Sequence, residues 1–309
     1  MILGGDLGGT KTLLALAETV AGEIRIVRQQ RFASSDYPDF DTLLDEFLAG
    51  APAIEAACFG VAGPTDGRRA QLTYLPWRLD ADELGRRFGI ARVTLANDFA
   101  AAAHGLPLVA AEQVLTLHAG RPLAHAPRVI LGAGTGLGVA GLIWDEDRYR
   151  VIPGEGGHFG FSPQTPEQLE LARWLLAGNT RATTEDIVSG PGLARIYAFF
   201  GGRPQPAETI GQAALAASDP LARQAVDLWL SCYGAFAGDL AMHWLARGGV
   251  YLAGGMAAKL MPGIDCTLFI DAFLAKREHH DLVHGMPIYL TTAEDLGLLG
   301  ALALAATRP

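Results

Sequence analysis

Two glycine–threonine turns, Gly8-Gly9-Thr10 and Gly134-Thr135-Gly136, are the stretches of this chain best suited to holding a phosphate. Glycine has no side chain to keep the backbone away from anionic oxygens and tolerates positive φ, so successive N–H groups can converge on one anion. Threonine adds a hydroxyl donor. Asp6 precedes the first turn; it cannot hold phosphate, but it can hold a hydrated Mg²⁺ that bridges phosphates. Two commoner nucleotide motifs do not fit. A Walker loop needs Gly-Lys-Ser/Thr in sequence, whereas Thr10 separates Gly9 from Lys11. The dinucleotide fingerprint needs its third glycine in another position and a helix afterwards, whereas residues 139–144 read as strand. Each turn alone is equally a plain hairpin turn. Two of them, with Asp6 and a further pair at Gly254-Gly255, point to phosphate binding.

Several other polar positions stand out. Asn97-Asp98 follows a short apolar run and precedes an alanine-rich stretch, so it marks a strand-to-helix junction. There Asp98 reads either as a helix cap or as a carboxylate that accepts a proton from a hydroxyl nucleophile. The two readings are compatible if Asn97 does the capping. Glu155 and His158 lie in Pro153-Gly154-Glu155-Gly156-Gly157-His158, where so many glycines imply a special backbone shape. A carboxylate accepts and a neutral imidazole both donates and accepts, which suits a hydroxyl-rich ligand; the alternative is a solvated loop. No second Glu-x-x-His or His-x-x-x-His completes a metal set. Glu185, after Thr183-Thr184, reads from its surroundings as an acid in the first turn of a helix. His279, His280 and His284 fall in a segment that reads as charged and solvated.

These residues need a scaffold that brings turns and strand ends together. Residues 1–3 and 13–17 read as strands around the first turn, and residues 53–61 as another strand. Residues 80–88 read as a helix ended by Gly89, residues 93–95 as a strand, and residues 99–104 as a helix. Residues 105–127 are proline-punctuated and read as irregular, which places a domain junction there. Residues 129–144 then repeat the opening pattern of strand, glycine turn, strand. Thr165, Pro166 and Gly178 bracket a helix as cap, first-turn proline and terminator. Residues 249–255 read as a strand meeting a glycine turn, and an apolar helix closes the chain from Leu296. The repeat predicts two related α/β domains, each presenting one turn to a shared cleft. The expected division is residues 1–107 completed by the helix at about 295–309, and residues 108–294.

Composition narrows the function. The 309 residues suit two domains rather than one. Half of them are hydrophobic and 18% charged, enough for sizeable cores. A formal charge of -9 argues against nucleic-acid binding, so an anionic ligand must be held by local devices. Cys58, Cys232 and Cys266 are far apart and odd in number, which fits a reducing compartment. No apolar run approaches the roughly 20 residues that span a bilayer. A cytoplasmic location, with no membrane contact, is the expectation.

The same residues resemble one family, the bacterial glucokinases of the actin/hexokinase/heat-shock-ATPase superfamily. The likeness is carried by Gly5 to Thr10, Asn97-Asp98-Phe99, Gly132 to Gly138, Pro153 to His158, Glu185 to Leu193, Ala253-Gly254-Gly255 and Gly297 to Gly300. It implies an α/β, two-domain actin-like (ribonuclease H-like) ATPase fold with an interdomain cleft. It further implies ATP-dependent phosphorylation of glucose, with Mg²⁺, in a homodimer. On the resemblance, Asp98 is the general base, and Asn97, Glu155, His158 and Glu185 hydrogen-bond the sugar, against the residue-level reading of Glu185. Asp6, Gly8, Gly9 and Thr10 match the first phosphate loop, with Mg²⁺ on Asp6 through water; Gly134, Thr135 and Gly136 match the second, and Gly254-Gly255 the adenosine site. Two positions depart from the pattern. Lys11 and Tyr74 each stand where Asn is usual. The alternatives are a kinase for another hexose (mannose, fructose or an amino sugar) and a nucleotide-binding regulator without catalysis.

Overall fold

The computed structural model describes residues 1–63, 65–73 and 75–307, so Pro64 and Tyr74, one of the two positions that depart from the family pattern, lie outside the described residues. Its contacts divide the chain into Met1–Ala110 with Asp295–Pro309, and Ala111–Glu294.

The first unit is built on a five-stranded sheet. Its strands are β1 (Ile2–Leu7), β2 (Lys11–Val20), β3 (Glu23–Ala33), β4 (Ala56–Val61) and, after the small hairpin β5 (Arg69–Gln71) and β6 (Arg78–Asp80), β7 (Arg92–Asn97). They lie in the order β3-β2-β1-β4-β7. The β3-β2-β1 portion is antiparallel, and β1, β4 and β7 run parallel. Side chains alternate across a strand, so β1 serves two cores at once. Leu3 and Leu7 join Phe59 and the helix Phe40–Leu48, whose Phe40, Leu43, Leu44 and Phe47 form one apolar stripe. Ile2, Gly4 and Asp6 face the other side, under the C-terminal helix Leu296–Ala306. That helix seats Leu298, Ala301, Leu302 and Ala305 against Ile2, Leu13, Ala15, Ala56 and Cys58.

Two glycines let the C-terminal helix come this close. A Cβ on Gly4 would lie 2.6 Å from Leu302 Cγ, and a Cβ on Gly300 would fall on the Ala101 carbonyl oxygen of the helix Asp98–Gly105. The helix that carries Asp98 is therefore pinned from behind by the last helix of the chain.

The second unit repeats this plan. After β8 (Val114–His118) come β9 (Arg128–Ala133), β10 (Leu137–Asp145), β11 (Arg148–Gly154), β12 (Gly249–Ala253) and β13 (Ile288–Thr291), in the order β11-β10-β9-β12-β13-β8. Again an antiparallel trio, β11-β10-β9, continues into parallel strands, β9, β12 and β13. The 25-residue helix Pro220–Trp244 runs through the core, and Tyr233 donates its hydroxyl to the Leu131 carbonyl at 3.3 Å. Among the described residues no helix is long and apolar enough to cross a membrane.

Several strands depart from the sequence expectation. β8 occupies part of residues 105–127, expected to be irregular, and β3 and β11 carry no strong strand signal. All three are sheet edges. An edge strand is held by one ladder and leaves much of its surface in water, so its residues need not be apolar; β3 alternates exposed with half-buried positions over most of its length.

The close approach at Gly300 yields a stability prediction. Gly300→Ala should lower stability by about 3 kcal/mol, the upper part of the usual overpacking range. Gly178→Ala, where nothing lies within 4 Å, serves as the control. Urea unfolding of both variants measures the difference, and equal midpoints would refute the packing argument.

Candidate active site

Strand register assembles the first group of residues. Asp6 of β1 is level with Gly60 of β4 and Ala96 of β7, and the next row is Leu7, Val61 and Asn97. Three parallel strands thus end together. Asp6, the turn at Gly8-Gly9-Thr10 and Asn97-Asp98 share one C-terminal edge, the edge at which open α/β sheets bind ligands. At about 4.8 Å per strand, β1 and β7 are roughly 10 Å apart there.

The first turn has a division of labour. The Gly8 N–H donates to the Lys11 carbonyl at 3.0 Å and closes the hairpin, so Gly9 and Thr10 supply the amides left to face an anion. Ser34, fully buried just after β3, braces the turn from behind. Its hydroxyl donates to the Gly8 carbonyl at 2.8 Å and lies 3.0 Å from the Thr12 hydroxyl, while its N–H reaches the Thr10 carbonyl at 3.1 Å. At the other end of the edge, Asn97 Oδ1 accepts from Phe99 and Ala100 N–H at 3.0 Å each, and Asp98 Oδ1 accepts from Phe99 N–H at 2.8 Å. The cap of this helix belongs to Asn97, as its β-to-α junction requires.

In the second unit Gly132 of β9 is level with Ala253 of β12, so the turn Gly134-Thr135-Gly136 and the pair Gly254-Gly255 are neighbours on that sheet's C-terminal edge. Gly254 has φ +89°, and a Cβ there would strike the Ala133 carbonyl; no other residue fits. The Gly134 N–H is used by the turn itself, donating to Gly136 O at 2.8 Å. Thr135 and Gly136 supply the remaining amides.

Two loops close on this turn. In the first, Gly156 and Gly157 lie flat on β10: a Cβ on Gly156 would be 2.9 Å from Val139 Cγ2, and one on Gly157 would fall on the Leu137 carbonyl oxygen. This holds Glu155 and His158 at the loop's exposed rim, with His158 Nε2 3.9 Å from Glu155 Oε2. In the second, Glu185 is not in a helix, contrary to its residue-level reading. The helix starts only at Gly190, capped by Ser189, whose hydroxyl accepts from Gly192 N–H at 3.0 Å. Glu185 precedes it in a loop. Its N–H donates to Gly157 O at 2.9 Å, and its Oε2 accepts from Leu137 N–H at 2.8 Å. Gly190 N–H reaches Gly134 O at 2.7 Å. Residues 134–137, 155–158 and 185–192 thus form one hydrogen-bonded patch.

The comparisons with known proteins agree from end to end. The family model described as Glucokinase matches residues 3–308. A Nostoc glucokinase is 36% identical over 340 aligned residues, covering 100% of this chain and 99% of its own. The chain belongs to the glucokinase family. The crystal structure of a glucokinase from an Antarctic psychrotroph matches with a TM-score of 0.86 and 28% identity, over 98% of both chains. A Balamuthia mandrillaris glucokinase, solved in complex with glucose, shares the fold at a TM-score of 0.84 and 24% identity, over 99% of this chain and 93% of its own. The fold is the two-domain actin-like ATPase fold of these sugar kinases.

Within the family's frame, sequence reading misses two participants. Ser34 sits 24 residues beyond the turn it braces, in no motif. The Leu137 N–H is a backbone group, invisible in any residue-type argument. Of the histidines at 279, 280 and 284, the last two lie in a short helix, His280–His284, and His284 packs edge-on against His118; among the described residues no three His, Cys, Asp or Glu side chains converge on a cation.

Asp6 has the perturbed electrostatics of this edge. Burial pushes its carboxyl up to about 6, and the charge of Lys11 pulls back only part of the shift. A divalent cation would supply the missing positive charge, so the position suits Mg²⁺ held by one carboxylate, water and phosphate oxygens. In metal-free buffer the linkage sign is definite. The folded carboxyl is raised above its unfolded value, so ionising it opposes folding, and stability falls as pH rises from about 4 to about 6. Asp6→Asn should therefore be more stable than the parent at pH 7 by roughly 2–3 kcal/mol, with the gap closing toward pH 4. Urea midpoints measured across that range test this, and a pH-independent gap would refute it.

Proposed function

We propose that the protein transfers the γ-phosphoryl group of ATP to the 6-hydroxyl of glucose, releasing ADP and glucose 6-phosphate. The observation that carries this reading is a complete set of phosphate turns, strand-end carboxylate and sugar-suited loop in a chain that the glucokinase family matches from end to end. Asp98 accepts the proton of the attacking hydroxyl, and the oxygen then bonds to the γ-phosphorus as the bond to the β-γ bridging oxygen breaks. Asn97 has spent its carbonyl oxygen on two helix N–H groups, so its NH₂ is the part left to donate to a sugar oxygen. Glu155, His158 and Glu185 answer the remaining hydroxyls. A site built on hydrogen bonds rejects a sugar that leaves a buried partner unpaired.

The amides of Gly9, Thr10, Thr135 and Gly136 receive the phosphates, and Gly254-Gly255 leaves room for the adenosine. Asp6 would hold Mg²⁺ through water, and the ion would supply positive charge against the phosphates of ATP. We assign the protein to the cytoplasm as a homodimer; light scattering should give twice the chain mass, and a monomer mass would refute the pairing.

Purified protein with ATP, Mg²⁺ and a panel of hexoses decides the substrate. Glucose should give the highest kcat/KM, and a higher value for mannose, fructose or an amino sugar would overturn the assignment. Asp98→Asn should lower kcat by about 10²- to 10⁴-fold, the usual worth of a general base, while glucose binding survives. Unchanged turnover would reduce Asp98 to a helix cap.

A further inference from the structure

Glu185 touches two parts of the second unit that sugar-kinase chemistry assigns to different ligands. Its main chain is fixed at both ends: the N–H donates to Gly157 O at 2.9 Å, and the carbonyl accepts from the Ser189 hydroxyl at 2.7 Å. The carboxylate is therefore aimed rather than free to wander. Its Oε2 accepts the Leu137 N–H at 2.8 Å, a charge-assisted bond to the residue that leaves the second phosphate turn. Oε2 also fills the space beside Gly136, where a Cβ would lie 2.6 Å from it. Oε1 has no protein donor among the described residues.

We propose that Glu185 is a positioning residue for the phosphate turn as well as a sugar contact, and that it couples the two ligands. One oxygen holds the turn at Leu137, and the other meets a sugar hydroxyl. The bond to Leu137 fixes where β10 begins and so where the amides of Thr135 and Gly136 point. A sugar on Oε1 restricts the carboxylate further and steadies the turn for the nucleotide; by linkage, nucleotide on the turn strengthens sugar binding by the same factor. Gly136 takes part by its lack of a side chain, since a methyl group there would push the carboxylate off Leu137. The inference rests on the sugar-kinase reading for the role of Oε1, but not for the role of Oε2.

The test uses the full chain, with two readouts that need no turnover. The first is hydrogen–deuterium exchange over residues 134–139 in the ligand-free protein. The second is calorimetric binding of AMPPNP, a non-hydrolysable ATP analogue, with and without glucose. Glu185→Ala and Gly136→Ala should both speed exchange in this segment and weaken AMPPNP by about 5- to 10-fold without sugar, within the usual range of coupling between sites. Glu185→Gln keeps an oxygen for Leu137 and should stay within about twofold of the parent for AMPPNP on that account. Its rescue separates positioning from a general loss of structure. If Glu185→Ala does not fold, the other two variants decide. Loss of glucose binding with unchanged exchange and AMPPNP affinity would overturn the proposal and leave the sugar-kinase reading intact. The reverse pattern, a parent protein that binds AMPPNP but no hexose, would sink the sugar reading while the Glu185 effect on the turn stands.

Discussion

The crowding at Leu137, the first residue of β10, governs the shape of the candidate site in the second unit. Its carbonyl lies where a Gly157 side chain would be, its N–H is bound by Glu185, and its turn is tied to Gly190 through Gly134. The loop that carries Gly157 can press onto Leu137 only because that position is glycine. Replacing it moves the loop, not merely a side chain, and the polar groups the loop carries would move with it. A network of this kind is costly to satisfy in part, because a desolvated amide or carboxylate left without its partner loses more than the bond is worth when made.

The first unit solves the same problem by a different route. Its edge holds a carboxylate whose burial opposes its charge, and Gly297 lets the start of the C-terminal helix approach it: a Cβ there would lie 2.9 Å from Asp6 Cγ. The C-terminal helix is thus more than a lid on a core. It packs behind both Asp6 and the helix that begins at Asp98, so the helix Leu296–Ala306 helps set the positions of both carboxylates. Desolvation at Asp6 costs stability in the absence of ligand, a common pattern at sites built for charge.

How much of this is legible in the sequence depends on whether a feature is local. The glycine turns, the cap at Asn97, the bracket of Thr165 and Pro166 and the apolar C-terminal helix each rest on neighbours a few residues apart, and they read directly. The two-layer repeat reads because both halves open with strand, turn, strand. The edge strands β3, β8 and β11 do not read, because a strand supported by one ladder needs no apolar face. Glu185 illustrates the harder failure. Its immediate neighbours suggest a helix start, whereas the partner that fixes it is an amide 48 residues away. Residue type and spacing report propensity; they do not report which backbone group a carboxylate will find.

Family likeness closes that gap for identity but not for cause. The segments Gly154 to His158 and Ser189 to Leu193 are rich in glycine, and the structure supplies the reason they contain it where they do. Gly157 clears Leu137, Gly192 clears the Ile187 carbonyl, and Gly190 brings its N–H onto the Gly134 carbonyl. The two motifs are therefore one constraint written in two places, and Glu185 stands at their junction. A substitution in either segment should be judged first by what it does to the turn at Gly134-Thr135-Gly136, because the contacts of Gly157 and Gly190 end on that turn or on the residue that follows it.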